Sequence, residues 1–339
     1  VVVLLLAVGG GGVWAWKHFA GGNRDSGSNA RNDATGANQD KQSKPKADQT
    51  ASATALPSGE IKACSDMPTL NVTSVEDSQG QLQVKADVKT SCAEGDFLAG
   101  SSNRILIYSS TAPTGGSDVD HLVASGTFDF SASPLIIPGG GRTVTLSFGE
   151  QHYFRTAKDI DVKDLKVTPS FDRGSQPSVS PDKSKASSSS SASPATVSAS
   201  SASDPSQDEQ DEKAAEEALQ WQSKHDRPLI MSKYLGKWTP QLSSKKAGLV
   251  ADGKTWTNRS ILADFLKVRQ TNPDAALVFS DDWSVFDAGG SWWVVLSGEL
   301  YGTAEEANAW CDTQGYDADH CYAKRMESSG PSTGTTKTR

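Results

Sequence analysis

The chain has 339 residues, room for two or three domains, yet only 36% of them are hydrophobic. Lys and Arg total 33 against 41 Asp and Glu, a net charge of −8, which argues against a phosphate-binding surface and so against nucleic acid as a partner. The apolar deficit is concentrated in two polar stretches, so the reading is multidomain: two folded regions preceded and joined by linkers.

Val1 to Trp16 is an apolar run, and Trp14, Trp16, Lys17 and His18 have the aromatic and basic character of a membrane–water interface. At ~1.5 Å per residue this run covers about 24 Å as a helix, short of the ~30 Å hydrocarbon core. Residues 1–20 therefore read as an N-terminal transmembrane helix whose first part lies upstream of Val1. A cleaved signal peptide is the alternative, although no A-x-A-like site follows. Residues 21–60 are Gly, Asn, Asp, Ser, Lys and Ala without apolar periodicity, a disordered tether.

Residues 61–172 read as an antiparallel β-sandwich. Leu82, Val84, Ala86 and Val88 alternate strictly, as do Val144, Leu146 and Phe148, while Phe128 and Phe130 share a face. Asn103–Tyr108 and Leu165–Val167 add further candidate strands, with Gly and Pro clusters between. Residues 173–217 form a Ser/Ala/Pro-rich and then acidic linker, too polar to order its Ser-rich part, with a helix expected over Glu209–Gln222.

Residues 218–329 hold seven of the nine tryptophans. The pattern predicts strands at Trp238–Lys245, Ala276–Ser280, Trp292–Ser297 and His320–Arg325, and helices at Asn258–Gln270 and Ala304–Gln314. The second helix opens on a capping box, Thr303 to Glu306, and ends at Gly315. The order β-α-β-β-α-β predicts a C-terminal α+β ferredoxin-like domain, four antiparallel strands with both helices on one face. Residues 330–339 read as a disordered tail.

Four cysteines fall into two local pairs. Cys64 with Cys92 would close a loop of about thirty residues in the sandwich, and Cys311 with Cys321 would staple a helix to the last strand. Zinc is the alternative, but finger-like ligand spacing is missing. Disulfides persist in oxidising compartments, which places the bulk of the chain outside the cytoplasm, held to the membrane by a single anchor.

A sheet with both helices on one side has a second face to explain. Adjacent residues in a strand point to opposite faces, so Trp292 and Trp293 are separated, and one of them is expected away from the helices. Trp283, beside Asp282 in the Ser280–Gly290 hairpin, is a second candidate. Aromatic rings next to carboxylates and amides suit saccharides, which makes Trp283, Trp292, Trp293, Asp282 and Gln241 the candidate ligand-binding set. The competing reading is that these rings fill a small core. Catalysis finds no support: the five histidines are scattered, and G-x-S-x-G and H-E-x-x-H are missing. Asp317, Asp319 and His320 read as a solvated turn rather than a metal site. No cofactor is expected.

The segments KWTPQLSSKKAGLVADGKTW, ILADFLKVRQ, DWSVF, SWWVVL and AWCDTQGYDADHCYAK resemble a C-terminal module of actinobacterial envelope proteins. CSDMPTLNVTSVEDS, SCAEGDF and GTFDFSASPLIIPGGG resemble the β-rich domain that accompanies it. The resemblance covers about two thirds of the chain and implies an envelope location rather than an activity; some members carry cytoplasmic regions before the span. In topology the last domain is similar to sporulation-related repeat (SPOR-like) modules, which implies peptidoglycan glycan as a ligand class. A cell-wall glycan or another envelope component is thus the expected partner. The extracytoplasmic sensor of a longer transmembrane signalling protein is the alternative.

Overall fold

The N-terminal half is built around a hairpin. Thr69–Ser78 (β2) and Gln81–Lys89 (β3) pair antiparallel across Gln79 and Gly80, at φ +51° and +77°. Positive φ at both central residues matches the right-handed twist of the flanking strands, and glycine takes the second at no steric cost. The computed structural model describes residues 59–110, 120–180, 195–200, 205–287 and 289–339. The expected anchor over 1–20 and almost all of the tether lie outside them, and no helix among the described residues is long and apolar enough to cross a membrane.

Two sheets face each other. One has the order β11-β8-β3-β2, with Arg142–Phe148 as β8 and Ala195–Ser198 as β11; the other is β6-β5-β9, from His121–Phe128, Asn103–Ser109 and Leu165–Ser170. Val84, Ala86, Val88, Val144 and Leu146 from the first sheet bury against Ile105, Ile107 and Val123 from the second. Phe128 and Phe148 meet edge to face at 5.5 Å. Short pairs close the ends: Asp96–Leu98 (β4) with Leu135–Ile137 (β7), and Ile61–Lys62 (β1) with Ser178–Val179 (β10). Cys64 and Cys92 are disulfide-bonded, Cα–Cα 5.9 Å.

The stretch read as linker differs from expectation at two places. Ser178–Val179 pairs with β1, and Ala195–Ser198 adds to β8 in parallel, the one departure from an antiparallel sandwich among the described strands. The edge of β8 supplies the backbone partners that so polar a segment cannot supply itself. The helix expected over Glu209–Gln222 is present and longer, the 25-residue Pro205–Leu229 (α1), with Pro at its first position. Pro228 lacks the N–H that would continue the ladder, and the helix passes into a π-helical turn, Ile230–Tyr234.

Five strands form the C-terminal sheet, in the order β15-β16-β12-β17-β18: Ala276–Phe279, Trp293–Leu296, Trp238–Lys245, Tyr322–Arg325 and Thr336–Lys337. All neighbours are antiparallel. Val250–Ala251 (β13) and Lys254–Thr255 (β14) make a small hairpin before Asn258–Thr271 (α2). Ala304–Thr313 (α3) starts on the expected Thr303–Glu306 capping box, and Gly315, at φ +76°, follows its end. Cys311 and Cys321 are bonded, Cα–Cα 5.7 Å. The tail expected to be disordered is ordered: Thr336–Lys337 pairs with β17, and Arg339 donates to the carbonyls of Cys321 (3.1 Å) and Tyr316 (2.6 Å).

Helix α1 joins the halves. Ala214, Ala215, Ala218 and Leu219 enter the core that contains Phe148 and Phe154 of the sandwich and Phe265 and Leu266 of α2. Glu212 accepts from the backbone N–H groups of Asn258 and Arg259, capping α2 from outside. Asp226 accepts the outward N–H of Leu277 at 2.9 Å on the edge strand β15. Arg155 of the sandwich, 1% exposed, lies 3.7 Å above the Trp221 ring.

Candidate functional site: a cleft on the second face of the C-terminal sheet

Alternation along β15 and β16 decides what each face presents. Leu277, Trp293 and Val295 join the core beneath α2, whereas Ala276, Val278, Val294 and Leu296 form the opposite layer. That layer is largely covered. Ile230 and Tyr234 from the π-helical turn, Trp283 and Val285 from the hairpin, and Met326 pack on it. The cover stops short of β12 and β17, where a cleft of about 330 Å³ remains. This volume is within the ~300–1,000 Å³ range of small-ligand sites.

Gln241, Tyr322, Lys324 and Trp292 line the cleft, with hydroxyls from Ser332 and Thr336. Strand geometry puts them there. Cys321 is tied to α3 and Ala323 packs against Ala304 and Ala307, so Tyr322 and Lys324 must face the other way. The Gln241 amide donates to the Tyr322 hydroxyl, which leaves the phenol proton directed elsewhere. Burial raises the Tyr322 pKa, offset in part by that bond, and the phenol stays protonated. Lys324 is 3% exposed, and burial pulls its ammonium down to about 8. Its Nζ donates to the Val285 carbonyl and to the Thr335 and Thr336 hydroxyls at 3.1 and 3.0 Å. Nζ also lies 4.5 Å from the Phe286 ring centre.

The five residues singled out from the sequence separate. Gln241 and half-buried Trp292 line this cleft, with Lys246 Nζ 4.6 Å above the Trp292 ring. Asp282 is exposed and borders a second cleft, of about 600 Å³, whose wall includes Phe279 and Trp293. Trp293 is 7% exposed and packs on Phe279 at 4.6 Å. Trp283 is 6% exposed, lies in the layer over β16 with Arg227 4.8 Å above it, and lines neither cleft. Trp292 and Trp293 do point to opposite faces; Trp283 is spent on packing over the sheet, while Trp293 packs on Phe279 and also walls the second cleft with Asp282. Tyr322 and Lys324 are not among the residues that the sequence singles out. The signal was present in the alternation that starts from Cys321.

A third recess, of about 360 Å³, joins Gln241 and Tyr322 to Lys245, Asp252 and His320. His320 Nδ1 is 2.6 Å from Asp317 Oδ1, and Nε2 is 3.5 Å from Asp252 Oδ1. Among the described residues no group of three or more His, Cys, Asp or Glu side chains is placed to hold a metal ion.

Comparison with protein-family models, with curated proteins and with solved structures finds no match to this chain. The functional reading therefore rests on the cleft and on the two disulfides, which mark an oxidising, extracytoplasmic setting.

Proposed function

We propose that the chain is a non-catalytic, membrane-anchored protein of the cell envelope whose C-terminal half binds peptidoglycan or another wall component. In this reading residues 1–20 supply a single-pass anchor and residues 21–60 a tether. Residues 218–329 are the ferredoxin-like, SPOR-like binding module. The supporting observation is the cleft beside β17: a half-buried indole, Trp292, stands with an amide, a phenol, an ammonium and hydroxyls around one small-ligand volume. A sugar presents a C–H face for the ring and hydroxyls for the polar groups. The test is co-sedimentation of the compact unit Ser52–Arg339 with purified, insoluble peptidoglycan. Retention that drops in Trp292→Ala supports the reading; no retention of the unaltered protein overturns it.

A second reading is the external sensor of a longer transmembrane receptor. It is favoured by the single core that α1 makes with both halves, since a ligand at one half is then mechanically felt by the other. The coding sequence upstream of Val1 decides it: a cytoplasmic signalling domain there supports the sensor, and a few residues only would remove it.

A further inference from the structure

We infer that the β17 cleft selects a carboxylate-bearing saccharide over a neutral one, with Lys324 as the residue that reads the charge. This rests on the glycan reading above and deepens it.

Three observations carry the inference. The Lys324 ammonium is nearly enclosed, yet each of its three hydrogen-bond partners, the Val285 carbonyl and the Thr335 and Thr336 hydroxyls, is uncharged. Among the described residues no carboxylate lies within ion-pair distance of it; the acid that bears on it, Asp287, borders the same cleft but is exposed and accepts from the Ser332 hydroxyl at 3.2 Å. A buried cation without a counter-ion costs free energy that an apolar side chain would avoid. Finally, Lys324 is on the cleft wall rather than in sealed core, next to Trp292, Gln241 and Tyr322.

An anion entering the cleft supplies the missing counter-ion. Thr336 is the exposed one of the two hydroxyl partners, so a carboxylate oxygen can take its place on Nζ with little rearrangement. The Tyr322 phenol, which accepts from Gln241, keeps its own proton to give to the second carboxylate oxygen or a ring hydroxyl. The pyranose ring then rests against Trp292. Two sources share this chemistry, a carboxylate on the sugar itself and one on an attached peptide.

Isothermal titration of Ser52–Arg339 at neutral pH separates the cases. The probes are N,N′-diacetylchitobiose (neutral), the disaccharide of N-acetylglucosamine and N-acetylmuramic acid (sugar carboxylate), and the same disaccharide carrying a short peptide. The acidic disaccharide is expected to bind about tenfold tighter than the neutral one, with that ratio falling toward one in Lys324→Met. In the unaltered protein the Lys324 side-chain NMR titration should move up by about one unit on binding the acid, a readout that does not depend on the variant folding. A preference seen only with the peptide-bearing probe assigns the carboxylate to the peptide; equal binding of neutral and acidic sugars, an unmoved Lys324 titration, or a preference that survives in K324M overturns the inference. Failure of all three probes to bind instead removes the glycan reading.

Discussion

Arg269 and Asp226 form a buried ion pair, with Nη1 3.0 and 3.1 Å from the two carboxylate oxygens. They lie on α2 and α1, and the same guanidinium reaches Asp159 of the sandwich at 3.5 Å and the Ala275 carbonyl at 2.6 Å. One side chain thus fastens α1, the edge of the C-terminal sheet and the N-terminal half. Removing one partner strands a buried charge, a loss of ~3–5 kcal/mol. Asp226→Asn should lose that much in urea unfolding, and the double variant D226N/R269M less than the sum of its single changes. Strict additivity would show that the pair is not coupled.

Because the two halves share the α1 core, they should unfold together. Scanning calorimetry of Ser52–Arg339 should give one transition, and Trp221→Ala should lower it by the ~3–5 kcal/mol typical of emptying a large aromatic site. Two separate transitions, with only one moved by W221A, would mean that α1 serves one half alone.

The disulfides close loops of 28 and 10 residues in sequence separation. On the chain-entropy account, removing Cys64–Cys92 costs about 3.5 kcal/mol and Cys311–Cys321 about 3 kcal/mol. Paired Cys→Ser variants measured by chemical denaturation should follow that order.

Two groups predict opposite pH trends. Burial lowers Lys324 from 10.5 to about 8, so the unfolded chain holds the proton more tightly. The cost is full below about pH 8 and disappears as pH rises toward the unfolded value of ~10.4. Relative to K324M, the unaltered protein should gain up to about 3 kcal/mol over that window. A gap that does not change with pH would mean that Lys324 titrates normally.

His320 behaves in the reverse sense. Partial burial lowers its pKa, but Asp317, by hydrogen bond and charge, and then Asp252 outweigh this and raise it above 6.5. The stabilisation is complete below that value and is lost as pH rises through the raised one. Thermal unfolding should show His320→Gln to be more harmful near ~pH 5 than near ~pH 8; equal effects would place His320 free of both carboxylates.

Elements whose signal is local were legible in the sequence. The strand Trp238–Lys245 runs between the expected residues, α2 and α3 start where Asn258 and the Thr303 capping box place them, and both cysteine pairs join as spaced. Elements defined by a distant partner were not. Ala195–Ser198 is a strand because β8 has a free edge, and Thr336–Lys337 because β17 does. The helix expected over Glu209–Gln222 does form, within Pro205–Leu229, but its contacts were not legible: Glu212 caps α2 and Asp211 is buried near Arg259, 3.8 Å away. The cleft was half legible: Gln241 and Trp292 were named for their chemistry. That the hairpin and the Ile230–Tyr234 turn would bury Trp283 over the sheet is a fact of packing, invisible to alternation.

The recognition cleft is most directly tested by the indole N–H resonances of Ser52–Arg339 during titration with a soluble glycan fragment. Seven tryptophans, at 221, 238, 256, 283, 292, 293 and 310, report at once. The Trp292 signal should shift progressively while those of buried Trp221 and Trp256 stay in place. Saturating glycan that leaves Trp292 unmoved would contradict a saccharide site beside β17.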